Sequence, residues 1–144
     1  DKHLVAIRPA SASQNGQAME IWRMEETMPH IPTPLLSENR LYLWADSGVI
    51  TCLRPQTGEK VWKARVEGVQ DTFFGSPVRA GNKIICVSAY GQVVIIEDGE
   101  AFKQLGVTNL KSVCRSTPAL ANGDLYLRTS DTLLCVRGDQ ISAR

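Results

Sequence analysis

Few residues in this chain of 144 have the types and spacing that chemistry requires. Cys52, Cys86, Cys114 and Cys135 include no Cys-x-x-Cys and no adjacent pair, and neither His3 nor His30 stands at a metal-ligand spacing from any of them. No zinc or other metal site is expected. Three of the thiols lie in apolar runs, Ile50–Leu53, Ile84–Ser88 and Leu133–Val136, where a reduced cysteine behaves as a small hydrophobe, so core thiols are expected rather than disulfides. There is no GxSxG, HExxH, P-loop or GxGxxG, and no histidine is placed to complete a Ser or Asp triad, so no catalytic residue is assigned. Glu25-Glu26 has the form of a carboxylate pair, but strand neighbours point to opposite faces and two solvated carboxylates are expected. Tyr42, Trp44, Phe73, Phe74 and Tyr126 could stack on a base or a sugar. The two tyrosines occupy matching positions of a repeat, which points instead to packing.

The elements that would position these residues follow from composition and periodicity. With 43% hydrophobic residues the chain can bury the core of one domain. Its 16 basic and 15 acidic residues are interspersed, and the net charge of +1 provides no single-sign field for nucleic acid or an anionic membrane. No apolar run approaches the roughly 18–20 residues of a membrane span. The start, Asp1-Lys2-His3-Leu4, lacks both Met and the layout of a signal peptide, so a processed or truncated N-terminus is expected.

A repeat decides the fold class. Thr33-Pro34, Ser76-Pro77 and Thr117-Pro118 each open a unit, with the prolines 43 and 41 residues apart. Periods near 40 mark solenoids and propellers. Five residues after each proline comes a turn residue (Asn39, Asn82, Gly123), then an apolar triplet (Leu41–Leu43, Ile84–Cys86, Leu125–Leu127), then a second turn and a second apolar run. Short runs rich in Val, Ile, Leu and Tyr, bounded by Asn, Gly, Asp or Ser, read as strands. After Thr57-Gly58, residues 59–66 alternate polar with apolar side chains and supply a fourth strand. Four antiparallel strands per unit make a propeller blade. The N-terminal stretch repeats only the second half of the pattern, Leu4–Pro9 paralleling Ile50–Pro55 and Gly16–Trp22 paralleling Gly58–Trp62. The reading is all-β: a partial β-propeller of three four-stranded blades (33–67, 76–106 and 117–144) plus part of a fourth (1–27).

The units resemble the pyrroloquinoline-quinone-type (PQQ-like) β-propeller repeat family, similar to the BamB-like outer-membrane assembly lipoproteins. The family signature is alanine, any residue, aspartate, two of any, threonine-glycine, three of any, tryptophan; Cys52, Arg54, Thr57-Gly58 and Trp62 stand at its positions, with Cys52 and Arg54 as departures. The second unit has Glu97-Asp98-Gly99, with Phe102 or Leu105 where tryptophan is expected. The resemblance implies that Trp62 and Trp22 dock onto the neighbouring blade, stacked over turns such as that of Gly58.

Half a ring leaves blade edges open, so the first expected partner is the remainder of the propeller, a missing N-terminal half, or else another copy of the chain. Strand counts favour the fragment, because joining the ends of two copies would duplicate a third strand. Ligands of propellers meet the loops. The loops leading into the innermost strands contain His30, Asp71 and Arg115, the candidate binding residues, although a loop aspartate commonly caps its own turn. The expected function is a non-catalytic scaffold that binds other proteins, periplasmic, secreted or otherwise in the cell envelope, with no cofactor. Two alternatives stand beside it: a fragment of a PQQ- and calcium-dependent quinoprotein dehydrogenase, whose adjacent cysteine pair is absent here, and a glycan-binding surface propeller.

Overall fold

The computed structural model describes residues 3–10, 16–26 and 28–138. Its strands are β1 (Leu4–Arg8), β2 (Met19–Met24), β3 (Leu35–Ser37), β4 (Arg40–Trp44), β5 (Val49–Leu53), β6 (Lys60–Arg65), β7 (Val78–Ala80), β8 (Lys83–Val87), β9 (Gln92–Glu97), β10 (Gln104–Asn109), β11 (Ala119–Ala121), β12 (Asp124–Arg128) and β13 (Leu133–Arg137). They form four antiparallel meanders, β1–β2, β3–β6, β7–β10 and β11–β13. The protein is an all-β partial propeller with two four-stranded blades. The third unit shows three strands rather than four, and the short last strand expected within 139–144 falls outside the described residues. Short innermost strands sit side by side, β7 lying against both β3 and β11.

Burial on both faces of the middle blades explains why their runs are almost unbroken apolar sequence. Side chains alternate across each sheet, so neighbouring residues enter different interfaces. Leu41, Leu43 and Leu53 face back toward Leu4, Trp22, Met24 and Met28. Tyr42, Trp44, Ile50 and Cys52 face forward onto Ile84, Cys86, Val94 and Ile96. Ile85, Val87 and Val93 then face the last sheet, meeting Leu125, Leu127 and Leu134. The hydrophobic core is thus three blade-to-blade interfaces in series.

The same alternation corrects two expectations. Cys135 is exposed, while Cys114, in a loop, is buried with Cys52 and Cys86. Cys135 opposes Tyr126 as Cys52 opposes Tyr42, but among the described residues no sheet covers that face. Of Glu25-Glu26, Glu25 is exposed as expected, whereas Glu26 bridges Lys60 and Lys63 of β6, the latter at 2.8 Å, and ties the first sheet to the second.

Candidate functional site

One rim of the molecule gathers the three segments that lead into β3, β7 and β11, together with the turns β4–β5, β8–β9 and β12–β13. Each segment is hydrogen-bonded to the turn of the blade it enters. The Ala89 N–H donates to the Thr72 carbonyl at 2.7 Å and the Ser130 N–H to the Val113 carbonyl at 2.8 Å. The segments also reach back to the preceding blade, the Phe73 N–H donating to Asp46 O and the Cys114 N–H to Ala89 O, both at 2.9 Å. Phe73 and Cys114 point inward and are buried, which anchors their loops. Gly91 permits the close approach, since its φ is +80° and a Cβ there would lie 2.3 Å from the Ser112 carbonyl oxygen.

Within this frame the three candidate binding residues differ. His30 is exposed and engages Asp46 twice, by its backbone N–H to Oδ1 and by Nδ1 to Oδ2, each at 3.0 Å. Burial would raise the Asp46 carboxyl, but the amides of His30 and Ile31 outweigh it and hold the group below its ordinary value. Asp71 accepts from the Thr72 N–H at 2.6 Å and from the Tyr90 N–H at 2.7 Å, pinning loop to turn. Both side chains are thereby committed to internal contacts.

Arg115 is not. Its guanidinium lies 5.2 Å from the centre of the Phe74 ring, and among the described residues it pairs with no carboxylate. It stands between two shallow clefts, one of about 210 Å³ bordered by Asp71, Phe74 and Tyr90, the other of about 220 Å³ bordered by Ser116 and Thr129. Val113 and Arg115 line both. Arg115, Phe74, Tyr90 and Val113 come together only in three dimensions, because 25 residues separate Tyr90 from Arg115 and the junction of two blades unites them.

The opposite rim is built from ion pairs and tryptophan. Trp22 donates its indole N–H to the Pro55 carbonyl at 2.9 Å, and its ring covers Gly58 so closely that a Cβ there would stand 2.7 Å away. Trp62 donates to the Gly99 carbonyl at 3.1 Å and packs against Tyr42 and Phe102. Phe102 therefore receives the tryptophan of the preceding blade, whereas Leu105, near the register position of Trp62 in its own blade, is 42% exposed. Beneath Trp62, the Asp98 carboxylate accepts from Tyr42 Oη at 2.6 Å, from Arg40 Nε at 3.0 Å and from Ser37 Oγ, and pairs with Arg79 at 2.9 Å.

Trp22 and Trp62 each seat on the next blade's turn, in units of about 42 residues, and the chain so built is similar to known proteins. The model of the family described as outer membrane protein assembly factor BamB matches residues 10–138. This chain belongs to that family. No curated protein matches by sequence. BamB from Moraxella catarrhalis is 18% identical and superposes with a TM-score of 0.62 over 85% of this chain and 40% of its own. A quinohemoprotein alcohol dehydrogenase, ADHIIG from Pseudomonas putida HK5, is 11% identical with a TM-score of 0.64 over 79% and 24%. The computationally designed Ika4 protein is 12% identical with a TM-score of 0.63 over 83% and 74%. Identities this low speak for the fold alone, and the chain spans less than half of the BamB structure.

As a BamB-family blade, the first full unit departs from the repeat signature for a visible reason. Arg54, where the signature has aspartate, reaches the next blade and grips Glu100 with both terminal nitrogens, at 3.1 and 2.5 Å. Asp98, Arg40, Arg79 and Glu100 form a cross-blade cluster that residue spacing alone did not disclose. One signal was present: a charged residue occupies a signature position of the opposite sign. The hydroxyls preceding the repeat prolines were equally informative. Ser76 Oγ accepts from the Thr33 N–H at 2.9 Å, and Thr117 Oγ1 accepts from the Ser76 N–H at 3.0 Å, a ladder running from blade to blade.

Proposed function

We propose that this chain is a non-catalytic interaction scaffold of the cell envelope or of a secreted protein, with other proteins as its partners. The observation that carries the reading is the stitched rim: loops held to turns on both sides present an uncommitted arginine beside exposed Tyr90 and Val113. Rigid loops that display uncompensated groups are suited to recognition. Membership in a family described as an outer-membrane protein assembly factor supports protein partners and an envelope location.

The likeness to a quinohemoprotein alcohol dehydrogenase favours a second reading, a piece of a PQQ-dependent enzyme. The donors that PQQ and calcium need are not assembled among the described residues. No group of three or more His, Cys, Asp or Glu side chains converges there, and no two cysteines are adjacent in the sequence. No chemical step is derived through these groups. The protein incubated with PQQ and Ca²⁺ is expected to develop neither quinone absorbance nor dye-linked alcohol oxidation. Turnover that depends on the quinone would replace the scaffold reading with the enzyme.

A further inference from the structure

We infer that the groove on either side of Arg115 is a docking site for a short extended segment of a partner protein, one that brings a single carboxylate flanked by apolar side chains. This rests on the scaffold reading and names the chemistry of its partner. A guanidinium stacked on an aromatic face keeps its in-plane N–H groups free, and that fork matches a carboxylate bidentately. The guanidinium carbon lies over the Phe74 ring, 5.2 Å from its centre, a cation–π contact that occupies no hydrogen-bond acceptor, and among the described residues no acid answers the fork. The acids of the adjoining loop and turn are already engaged. Asp71 holds the amides of Thr72 and Tyr90, while Asp131 accepts from Thr129 Oγ1 at 2.8 Å and Ser112 Oγ at 2.9 Å.

Apolar surface flanks the charge. Tyr90 is 70% exposed beside the first cleft and Val113 40% exposed beside both, so a segment crossing the blade junction would cover a tyrosine ring and a valine while its carboxylate met Arg115. Asp71 at the wall of the first cleft disfavours a run of acids and selects one carboxylate among apolar neighbours. A phosphorylated or lipid ligand calls for several convergent cations; Arg128 joins Arg115 along the second cleft, but Arg115 is the one cation among the residues lining the first, beside Tyr90, where the carboxylate is placed. Both walls are hydrogen-bonded to flanking turns, so the site is formed before a partner arrives and little ordering entropy opposes binding.

The test uses the full chain labelled with ¹⁵N and three blocked pentapeptides carrying Asp, Asn or Lys between two leucines, with inorganic phosphate as a fourth probe. The Asp peptide is expected to shift the Arg115 Nε–H and the Tyr90 and Val113 amide signals saturably. The Asn and Lys peptides should bind about tenfold more weakly or worse. Arg115→Ala should weaken the Asp peptide by about tenfold or more while leaving the remaining amide spectrum in place. Arg115→Lys, which keeps the charge but not the planar fork, should lie between the two. An Asn peptide that binds as well as the Asp peptide, shifts centred elsewhere, phosphate binding that matches the Asp peptide, or an Arg115→Ala chain with undiminished affinity would each overturn the inference. Failure here together with no quinone-dependent oxidation removes the docking site and leaves the scaffold reading standing. Quinone-dependent oxidation removes the scaffold reading itself.

Discussion

Tryptophan at the outer end of a blade is the costliest residue to lose. Trp62→Ala removes a ring packed on Tyr42 and Phe102 together with an indole hydrogen bond to Gly99, and should cost about 3–5 kcal/mol in urea unfolding. Gly58→Ala should cost about 1–2 kcal/mol or more, because φ is +72° and the added methyl meets Trp22. A neutral Gly58→Ala would show that Trp22 does not seat there in solution. Asp98 sets the acid limit. Burial works against its charge, but hydrogen bonds from Ser37, Tyr42 and Arg40, with Arg40's charge, hold the carboxyl below its ordinary value. Such a group adds stability above the unfolded aspartate pKa of about 3.9, and that contribution is lost as pH falls through the folded value. The urea midpoint should therefore decline below about pH 4, and Asp98→Asn should flatten the decline while costing about 3 kcal/mol at neutral pH. An unchanged acid slope in Asp98→Asn would remove Asp98 from that role.

Hairpins are the level at which the chain was most readable. Asn122-Gly123, both at positive φ, close β11–β12, and Gly48 at +76° closes β4–β5, as turn chemistry requires. Glu38 takes φ 53° in the turn where Asn39 had seemed the special residue, and its carboxylate pairs with Arg79 at 3.1 Å. What the strand pattern could not disclose is how elements join across blades. Ser76 and Thr117, each before a repeat proline, look like ordinary turn residues until their hydroxyls are seen accepting the preceding unit's N–H. Ser76→Ala should cost about 1 kcal/mol, with Ser76→Thr close to neutral in the same thermal unfolding assay. Equal losses in both variants would point to packing rather than to the ladder. His30 and Asp71 illustrate the same limit. The sequence placed them in the right loops, and only neighbouring turns, 16 and 19 residues further along, determine that both are internal ties.

At the scale of the whole molecule, the same residue pair occurs in two settings. Tyr42 opposite Cys52 is sealed under the next blade, whereas Tyr126 opposite Cys135 lies on a face that no described sheet covers. Tyr42→Phe should cost about 1–3 kcal/mol through its lost bond to Asp98, and Tyr126→Phe less than about 0.5. The thiols provide a parallel check, because burial pushes Cys52 up to about 11 and raises Cys86 further. One thiol per chain, Cys135, should react rapidly with a disulfide reagent at pH 8, and all four after denaturation; rapid labelling of Cys52 would mean that the blade interface opens. By itself the sequence determined the all-β class, the period, the turns and the strands, since these follow from local steric preference and alternation within a few residues. The tertiary structure decided which equivalent side chains are covered, which loop acids and histidines are already bonded, and that Arg115, Phe74 and Tyr90 meet at one junction. Those outcomes depend on contacts between units some 40 residues apart, and a repeat encodes the same residue without encoding what is packed against it.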